Sequence, residues 1–451
     1  MKARDLRARL LQNPVRLVPL VLLVAIAIGT AVLMLPISRA GDTGSAPFLD
    51  ALTVATSSVC TAGLDYQDTA EYWSTFGHVV ILLLTEMGGF GVIAMALLVI
   101  LFAASQLGIR NRLVLQAEGA GVGLADTAGT LRRIGKTMLG WQAAIAVVLA
   151  VRLWQHYDVG PGRAIWYGAF HAVQAFNNSG FTLIPNDWQP FVADPWMCLP
   201  PTIGVIVGAL GFPVLLELRR NWRRPSRWSL TTRLTVSGTA ILLVTGTLLL
   251  LAFEWNHSVT LGGLDVPAKI LAAFVQATIP RSGGLATLDY SAMTEESFAV
   301  VTALMFIGGG SASTAGGIKV TTFFLLAYVI WAEVRGEPDV VIGNRRVAEA
   351  TQRQALTIAL LGIGAIAGAT LLAVVLSGDI RLNRVLFEVT SAFSTAGIST
   401  DVTPTLPEPV KYLFVLLIFL GRVGTIGALA ALALGTRHRM YRYPEERALV
   451  G

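Results

Sequence analysis

Four short segments of the chain repeat one pattern of residue types: ATSSVCTAGL at 55–64, QAFNNSGFTL at 174–183, QATIPRSGGL at 276–285 and SAFSTAGIST at 391–400. Each reads polar, small, glycine, apolar: Thr61-Ala62-Gly63-Leu64, Asn178-Ser179-Gly180-Phe181, Ser282-Gly283-Gly284-Leu285 and Thr395-Ala396-Gly397-Ile398. The chemistry open to such segments is that of the main chain. Glycine admits positive φ and carries no side chain to block a close approach. Backbone carbonyls from four loops around one axis can replace the hydration shell of a cation. One such glycine would be explained by close helix packing in a membrane; four in one register, 117, 104 and 113 residues apart, point to an internal repeat.

A fifth stretch, FIGGGSASTAGGIK at 306–319, lies between two apolar runs. A phosphate-binding loop needs lysine directly after the last glycine, then Ser or Thr, at a strand-to-helix turn. Here Ile318 separates Gly317 from Lys319, and no strand pattern precedes the loop. Gly308, Gly309, Gly310, Gly316 and Gly317 favour irregular, hinged backbone. Ser311, Ser313 and Thr314 are expected to satisfy the backbone groups that a broken helix frees. The reading is an intramembrane gate over residues 308–317; a passive helix kink is the alternative. Arg422, in FLGRVGTIG, sits inside the last long apolar run. An arginine near a bilayer centre costs about 2.5–3.5 kcal/mol on insertion scales, which makes function the default hypothesis. It can act as an electrostatic barrier to cations or hydrogen-bond the loop's carbonyls. Lys319 can contribute likewise or snorkel to the cytoplasm.

The elements that must position these residues are membrane helices. The 451 residues are 54% hydrophobic and only 14% charged, against about 25% charged in soluble domains. Runs such as 17–37, 79–103, 234–253, 355–376 and 413–434 reach the ~20 residues needed to span a bilayer. Before each glycine segment stands a run of ~12 residues, a helix of ~18 Å, which enters the hydrocarbon layer without crossing it. Phe48 to Ser58, Ile165 to Phe176, Pro267 to Thr278 and Leu382 to Phe393 are read as re-entrant pore helices. The fold class is thus an all-α polytopic membrane protein. It has four helix–pore-loop–helix repeats around one central pore, with eight spanning helices and four pore helices.

The expected layout is a cytoplasmic N-terminus (1–16), repeat 1 (17–104), a cytoplasmic loop (105–134), repeat 2 (135–220) and a basic cytoplasmic loop (221–232). Repeat 3 (233–334, with the loop 308–317), a cytoplasmic loop (335–352), repeat 4 (353–435) and a cytoplasmic tail (436–451) follow. Basic residues cluster in the inside segments, Arg219, Arg220, Arg223, Arg224 and Arg227 among them. Asp42, Asp50, Asp65, Asp68 and Glu71 fall outside. By the positive-inside rule both termini are cytoplasmic. The same distribution removes any reason to read the net charge of +6 as nucleic-acid binding; the surrounding partner is membrane lipid. Two cysteines, Cys60 and Cys198, are too few for a disulfide framework or metal cluster.

These motifs resemble the Trk/Ktr/HKT superfamily of potassium transporters. TSSVCTAGL, FHAVQAFNNSGFTL, EVTSAFSTAGIS, GRVGTIGALA and MFIGGGSASTAGGIK carry the likeness over nearly the whole chain. The short N-terminus and the ending YRYPEERALVG most resemble the bacterial Ktr membrane subunit. The third segment departs from the family pattern at Pro280. The resemblance implies K⁺ as the transported ion, bound by Thr61, Ala62, Gly63, Asn178, Ser179, Gly180, Ser282, Gly283, Gly284, Thr395, Ala396 and Gly397, with Na⁺ dependence open. It implies a gate loop beneath the filter with Arg422 beside it. It also implies a homodimer, a KtrA-type cytoplasmic nucleotide-binding ring as partner, and the bacterial plasma membrane as location. A Trk-type subunit and the ion-binding subunit of a potassium-pumping ATPase are the related alternatives. An intramembrane hydrolase would need Ser311 or Ser313 to meet His171, and no enzyme is expected. Glu86, Glu388 and His171 are expected in scaffold hydrogen bonds, and Arg281 to turn from the ion path and pair with a carboxylate.

Overall fold

The computed structural model describes residues 14–41, 44–106, 127–185, 187–378 and 380–434. Most of the expected N-terminal segment, the middle of the loop 105–134 and the tail 436–451 lie outside the described residues. Repeat 1 is α1 (Pro14–Leu33), α2 (Phe48–Val59), the single turn α3 (Thr69–Tyr72) and α4 (Thr75–Gln106). Repeat 2 is α5 (Thr127–His156), α6 (Pro161–Asn177), α7 (Pro195–Leu210) and α8 (Phe212–Asn221). Repeat 3 is α9 (Leu230–Glu254), α10 (Val266–Thr278), α11 (Glu295–Phe306) and α12 (Val320–Val334). Repeat 4 is α13 (Glu349–Ser377), α14 (Leu382–Ser394) and α15 (Glu408–Leu434).

Four of these helices are each continuous, long and apolar enough to cross a bilayer: α4, α5, α9 and α13. α5 and α13 begin inside stretches read as loops, because their polar first turns reach past the apolar run. The helices α2, α6, α10 and α14 are 12, 17, 13 and 13 residues long, too short to cross. Within each repeat the first long helix packs on its short helix. Between repeats, the second long helix packs on the next short one: α4 on α6, α7 on α10, α11 on α14, and α15 back on α2. That last contact closes the four units into a ring. One apolar core joins repeats 4 and 1 through residues such as Val54, Ala369, Val389 and Phe414. Another joins repeats 2 and 3 through Val205, Ala272, Ile279 and Met305.

Two second helices are broken, where a break in repeat 3 alone was expected. The break in repeat 3, between α11 and α12, falls on the glycine-rich loop. The break in repeat 2 went unread: α7 and α8 meet at an angle of 99° at Gly211. Gly211 has φ +87°, and a β-carbon there would stand 2.5 Å from the Ser311 carbonyl oxygen. The Phe212 N–H donates to the Ala312 carbonyl at 3.4 Å. The elbow exists because the repeat 3 loop occupies the space a straight helix would fill. Gly211 followed by Pro213 was the available stop signal. A second addition to the all-α reading is a minimal hairpin, β1 (Val341–Ile342) with β2 (Arg345–Arg346), in antiparallel pairing. Val340, Ile342 and Val347 seat it on Leu234, Leu325 and Ala355.

Replacing Gly211 with Val is therefore expected to cost about 1–3 kcal/mol, the scale for a side chain forced into a sparsely allowed backbone region. Thermal unfolding in detergent reads this directly. An unchanged midpoint would mean that the elbow is not held by the loop.

Candidate cation pathway

Three of the four short helices end alike. The Ala62 N–H donates to Ser57 O at 2.7 Å and the Thr61 N–H to Ser58 O at 3.1 Å. Ser179 and Asn178 donate to Gln174 O and Ala175 O at 3.0 and 3.2 Å, and Ala396 and Thr395 to Ser391 O and Ala392 O at 2.9 and 3.3 Å. These paired bonds are the Schellman termination, whose C′ residue is left-handed and usually glycine. Here it is Thr61, Asn178 or Thr395, at φ +50°, +57° and +48°. The third helix ends differently because Pro280 has no N–H. There Gly283 donates to Ile279 O at 2.7 Å. Ser282 nonetheless keeps φ +78°. Two residues on, each segment turns left-handed again at glycine: Gly63 +77°, Gly180 +99°, Gly284 +66°, Gly397 +78°.

These glycines meet. A β-carbon on Gly63 would collide with the Ser179 carbonyl, and one on Gly397 with the Ala62 carbonyl. One on Gly284 would lie 2.5 Å from Gly180 Cα and 2.7 Å from Ser179 O. Four segments far apart in sequence thus reach van der Waals contact around one axis, with Ala62 and Ser179 carbonyls among the groups that face it. At Gly283 a β-carbon would point away from the ring, 3.0–3.1 Å from Ile279 and Val205, as Ala62 and Ala396 do into the apolar cores, while the Gly283 carbonyl lies 3.1 Å from a β-carbon placed on Gly180. The carboxyl ends of the short helices lead into this ring and bring partial negative charge.

Outside the ring lies a cavity of about 400 Å³ lined by all four glycines and by Asp65, Asp68, Asp187, Asp289 and Asp401. Among the described residues no lysine or arginine lines it. Such a single-sign recess concentrates cations at its mouth. Burial pushes the Asp65 carboxyl up to about 7 and Asp187 to about 8, with neighbouring aspartates adding in the same direction for both. Asp187 also accepts the Ala286 N–H at 2.6 Å, tying repeat 2 to the segment after Gly284. Of these acids Asp65 and Asp68 are expected only to mark the outer side, and the convergence of all five needs the fold.

On the inner side of the ring sits the loop joining α11 to α12. Its neck is closed by Gly308 N–H to Ile318 O at 2.9 Å and Ile318 N–H to Phe306 O at 3.2 Å. Thr314 is its centre. The Thr314 hydroxyl donates to Asn178 Oδ1 at 2.7 Å and its N–H to Gly208 O at 3.3 Å. The Thr314 carbonyl accepts the Thr61 hydroxyl at 3.3 Å and the Arg422 Nη1. Gly316 lies against Thr395, and its N–H donates to Ser282 Oγ at 3.3 Å. The loop therefore touches the glycine segments of all four repeats. Ser311 and Ser313 do not play the expected part: Ser311 pairs with the Thr321 hydroxyl at 3.0 Å, and Ser313 Oγ is buried without a described partner. The loop's backbone groups are met mainly by other backbone, as in Gly310 N–H to Ala209 O at 2.7 Å. Lys319 turns back on its own loop, donating to Ala315 O at 2.5 Å.

The supporting residues hold the segments in place. Glu86 accepts from Asn177 at 2.6 Å and Gln142 at 2.8 Å. His171 accepts the Leu183 N–H at 3.2 Å. Glu388 accepts from Ser399, Thr400 and Thr403, at 2.6–2.9 Å. Gln276, not singled out before, does the same work in repeat 3 through Leu288 O at 3.2 Å. Arg281 does turn from the ring, but its partners are not carboxylates. It donates to the Gly308 carbonyl at 3.1 Å, the Thr239 hydroxyl at 3.3 Å and, more weakly, the Ile307 carbonyl at 3.5 Å.

A ring of helix–short-helix–helix repeats with four glycine turns at its axis defines a membrane protein of the cation-transport class. The family model described as TrkH, "Cation transport protein", matches residues 21–436, and the chain belongs to that family. Its relatives include Ktr system potassium uptake protein B of Bacillus subtilis (strain 168), 32% identical over 94% of both chains. The protein of the same name from Vibrio alginolyticus is 30% identical over 89% of this chain and 88% of its own. Potassium/sodium uptake protein NtpJ of Enterococcus hirae is 30% identical over 99% of each. The crystal structure of the potassium transporter TrkH from Vibrio parahaemolyticus superposes with a TM-score of 0.72 at 16% identity, covering 94% of this chain and 85% of that one. The family is one of transporters, not enzymes, which removes the hydrolase reading; His171 and Ser311 also have unrelated partners.

The vestibule acids carry a sign. Asp65 and Asp187 hold protons in the folded chain that the unfolded chain releases near the ordinary value of 3.8. Their contribution to stability is therefore full below about pH 4 and lost as pH rises towards 8. Asp187→Asn should reduce the loss between pH 5 and 8 in thermal melts. An identical pH dependence in the variant would show that Asp187 is solvated and ordinary.

Proposed function

We propose that this chain carries K⁺ inward across the bacterial plasma membrane through the glycine ring, and that the loop 308–317 gates it. The observation that supports this most is Thr314. It sits on the inner side of the ring and bonds Thr61 and Asn178, the left-handed residues of two filter segments, while Arg422 holds its carbonyl. In this reading Thr61, Ala62, Gly63, Asn178, Ser179, Gly180, Ser282, Gly283, Gly284, Thr395, Ala396 and Gly397 form the potassium filter. A K⁺ stripped of water exchanges hydration for carbonyls held at fixed spacing. Arg422 adds a positive charge below the filter that opposes a cation while the loop is seated. Displacing the loop removes both the plug and the carbonyl that fixes the arginine.

Three finer assignments accompany this reading. The orientation places both termini in the cytoplasm, supported by the basic inner segments. A second copy of the chain and a KtrA-type nucleotide-binding ring are the proposed partners, supported by full-length likeness to proteins named as parts of a Ktr system. Na⁺ is a proposed co-ion, on the likeness to a potassium/sodium uptake protein.

Uptake of ⁸⁶Rb⁺ into liposomes holding the purified chain tests the pathway. External K⁺ should block uptake more strongly than Na⁺. Deleting residues 309–316, or replacing Arg422 with Ala, should raise uptake by about tenfold, equivalent to about 1.4 kcal/mol off the barrier. If folded protein of both variants stays silent, the gated-pore reading is wrong.

Gly63→Ser offers an independent check on the filter. Its β-carbon has no room beside the Ser179 carbonyl and a strained φ, so the carbonyl spacing must shift. We expect the preference for K⁺ over Na⁺ in the same assay to fall by about fivefold or more, from a distortion worth about 1–3 kcal/mol. Unchanged preference would place the selective site elsewhere.

A further inference from the structure

The third filter segment holds both sides of the loop's neck. Arg281 is only 3% exposed, and its guanidinium reaches forward to the first residues of the loop, Gly308 and Ile307, and sideways to Thr239 on α9. Ser282, the next residue, accepts the N–H of Gly316 at 3.3 Å on the returning side of the loop and donates to Thr395 O at 2.6 Å. Gly308 and Ile318 zip those two sides together. Pro280, immediately before, fixes its own φ and has no N–H, and the Arg281 N–H donates to Thr278 O at 3.1 Å, so the segment stays tied to the end of α10 while its side chain reaches the loop.

The corresponding positions of the other repeats, one residue before the left-handed turn, are Cys60, Asn177 and Ser394. None is charged. The arginine stands in the one repeat whose second helix is interrupted by the glycine-rich loop. A buried guanidinium offers five N–H donors in a rigid fork and needs acceptors to offset its desolvation. Here two of its three partners are carbonyls at the root of a segment that would have to move.

We propose that Arg281 is a positioning residue that couples the third filter segment to the intramembrane loop, so that displacing the loop also releases the filter. The inference deepens the gating reading above and rests on it. Coupling of this kind is reciprocal: if the loop's position changes the filter's affinity for K⁺, K⁺ in the filter biases the loop by the same factor. An ion-occupied filter and a seated loop are then linked states. Lysine cannot replace arginine, because it keeps the charge and loses the fork.

The test is a cycle on the full chain in proteoliposomes: wild type, Arg281→Lys, deletion of 309–316, and the two combined. The readouts are ⁸⁶Rb⁺ uptake and its competition by K⁺ and Na⁺. In the intact chain Arg281→Lys should raise uptake and weaken the preference for K⁺ by about fivefold or more, the lower end of coupling between linked sites. In the loop-deleted chain it should change neither. Equal effects in both backgrounds would make Arg281 a filter-packing residue and overturn the coupling alone; so would no effect in the intact chain. A loop deletion that leaves wild-type uptake unchanged would sink the gate and the coupling with it. If Arg281→Lys does not fold, Thr239→Val removes one partner of the same guanidinium from α9. It should shift both readouts in the same direction by less, and a folded Thr239→Val without any shift counts against the proposal.

Discussion

Non-helical backbone inside a bilayer must find its hydrogen bonds within the protein, and the residues around Thr314 are arranged by that constraint. The loop between α11 and α12 breaks a membrane helix, which frees carbonyls and N–H groups inside the protein. Thr314 resolves much of this at one place. Its N–H, carbonyl and hydroxyl are bonded to repeats 2, 1 and 4, and 2 again. Gly208 accepts one of these bonds, and the elbow at Gly211 follows from the same loop crowding against α7. The break in repeat 3 and the bend in repeat 2 are two consequences of one inserted segment.

The fourfold pattern and its violations divide the labour. What repeats is the short helix, the left-handed polar residue at its end and the left-handed glycine two residues later. Four copies of that unit give a ring of main-chain groups, an outcome no single helix in a bilayer can produce. What does not repeat is polar and local: Arg281 in repeat 3, Arg422 in repeat 4, the Asn178 amide in repeat 2. These residues bind the loop together with Thr61 and Ser282 of the repeated pattern. In the proposed reading a symmetric scaffold shapes the path, and asymmetric side chains control a segment lying across it.

Much of this was legible in the residues. Glycine at one register in four places specifies positive φ, and a run of twelve apolar residues is too short to cross a membrane, so the ring and its short helices followed from local rules. The irregular stretch 308–317 was legible for the same reason, since five glycines disfavour a continuous helix. What remained hidden depends on contacts between distant segments. The elbow at Gly211 is imposed by Ser311 and Ala312, a hundred residues away. Arg281 was expected to find a carboxylate, the commonest partner of a buried arginine, yet carbonyls freed by the broken helix stand closer. Ser311 and Ser313 were given a role by residue type that only Thr314 has the position to fill. The five vestibule aspartates come from four separate loops, and only the closed ring brings them to one cavity.

The account stands or falls on where a cation rests. A crystal soaked in Rb⁺ and measured at the rubidium absorption edge locates it without reference to transport. The account places the strongest anomalous peak on the ring axis, within about 3 Å of main-chain carbonyls from segments 61–63, 178–180, 282–284 and 395–397, the range of direct carbonyl coordination. Rubidium only among the vestibule aspartates, with the axis empty, would contradict it: the chain would then attract cations without the main-chain site on which the rest of the mechanism depends.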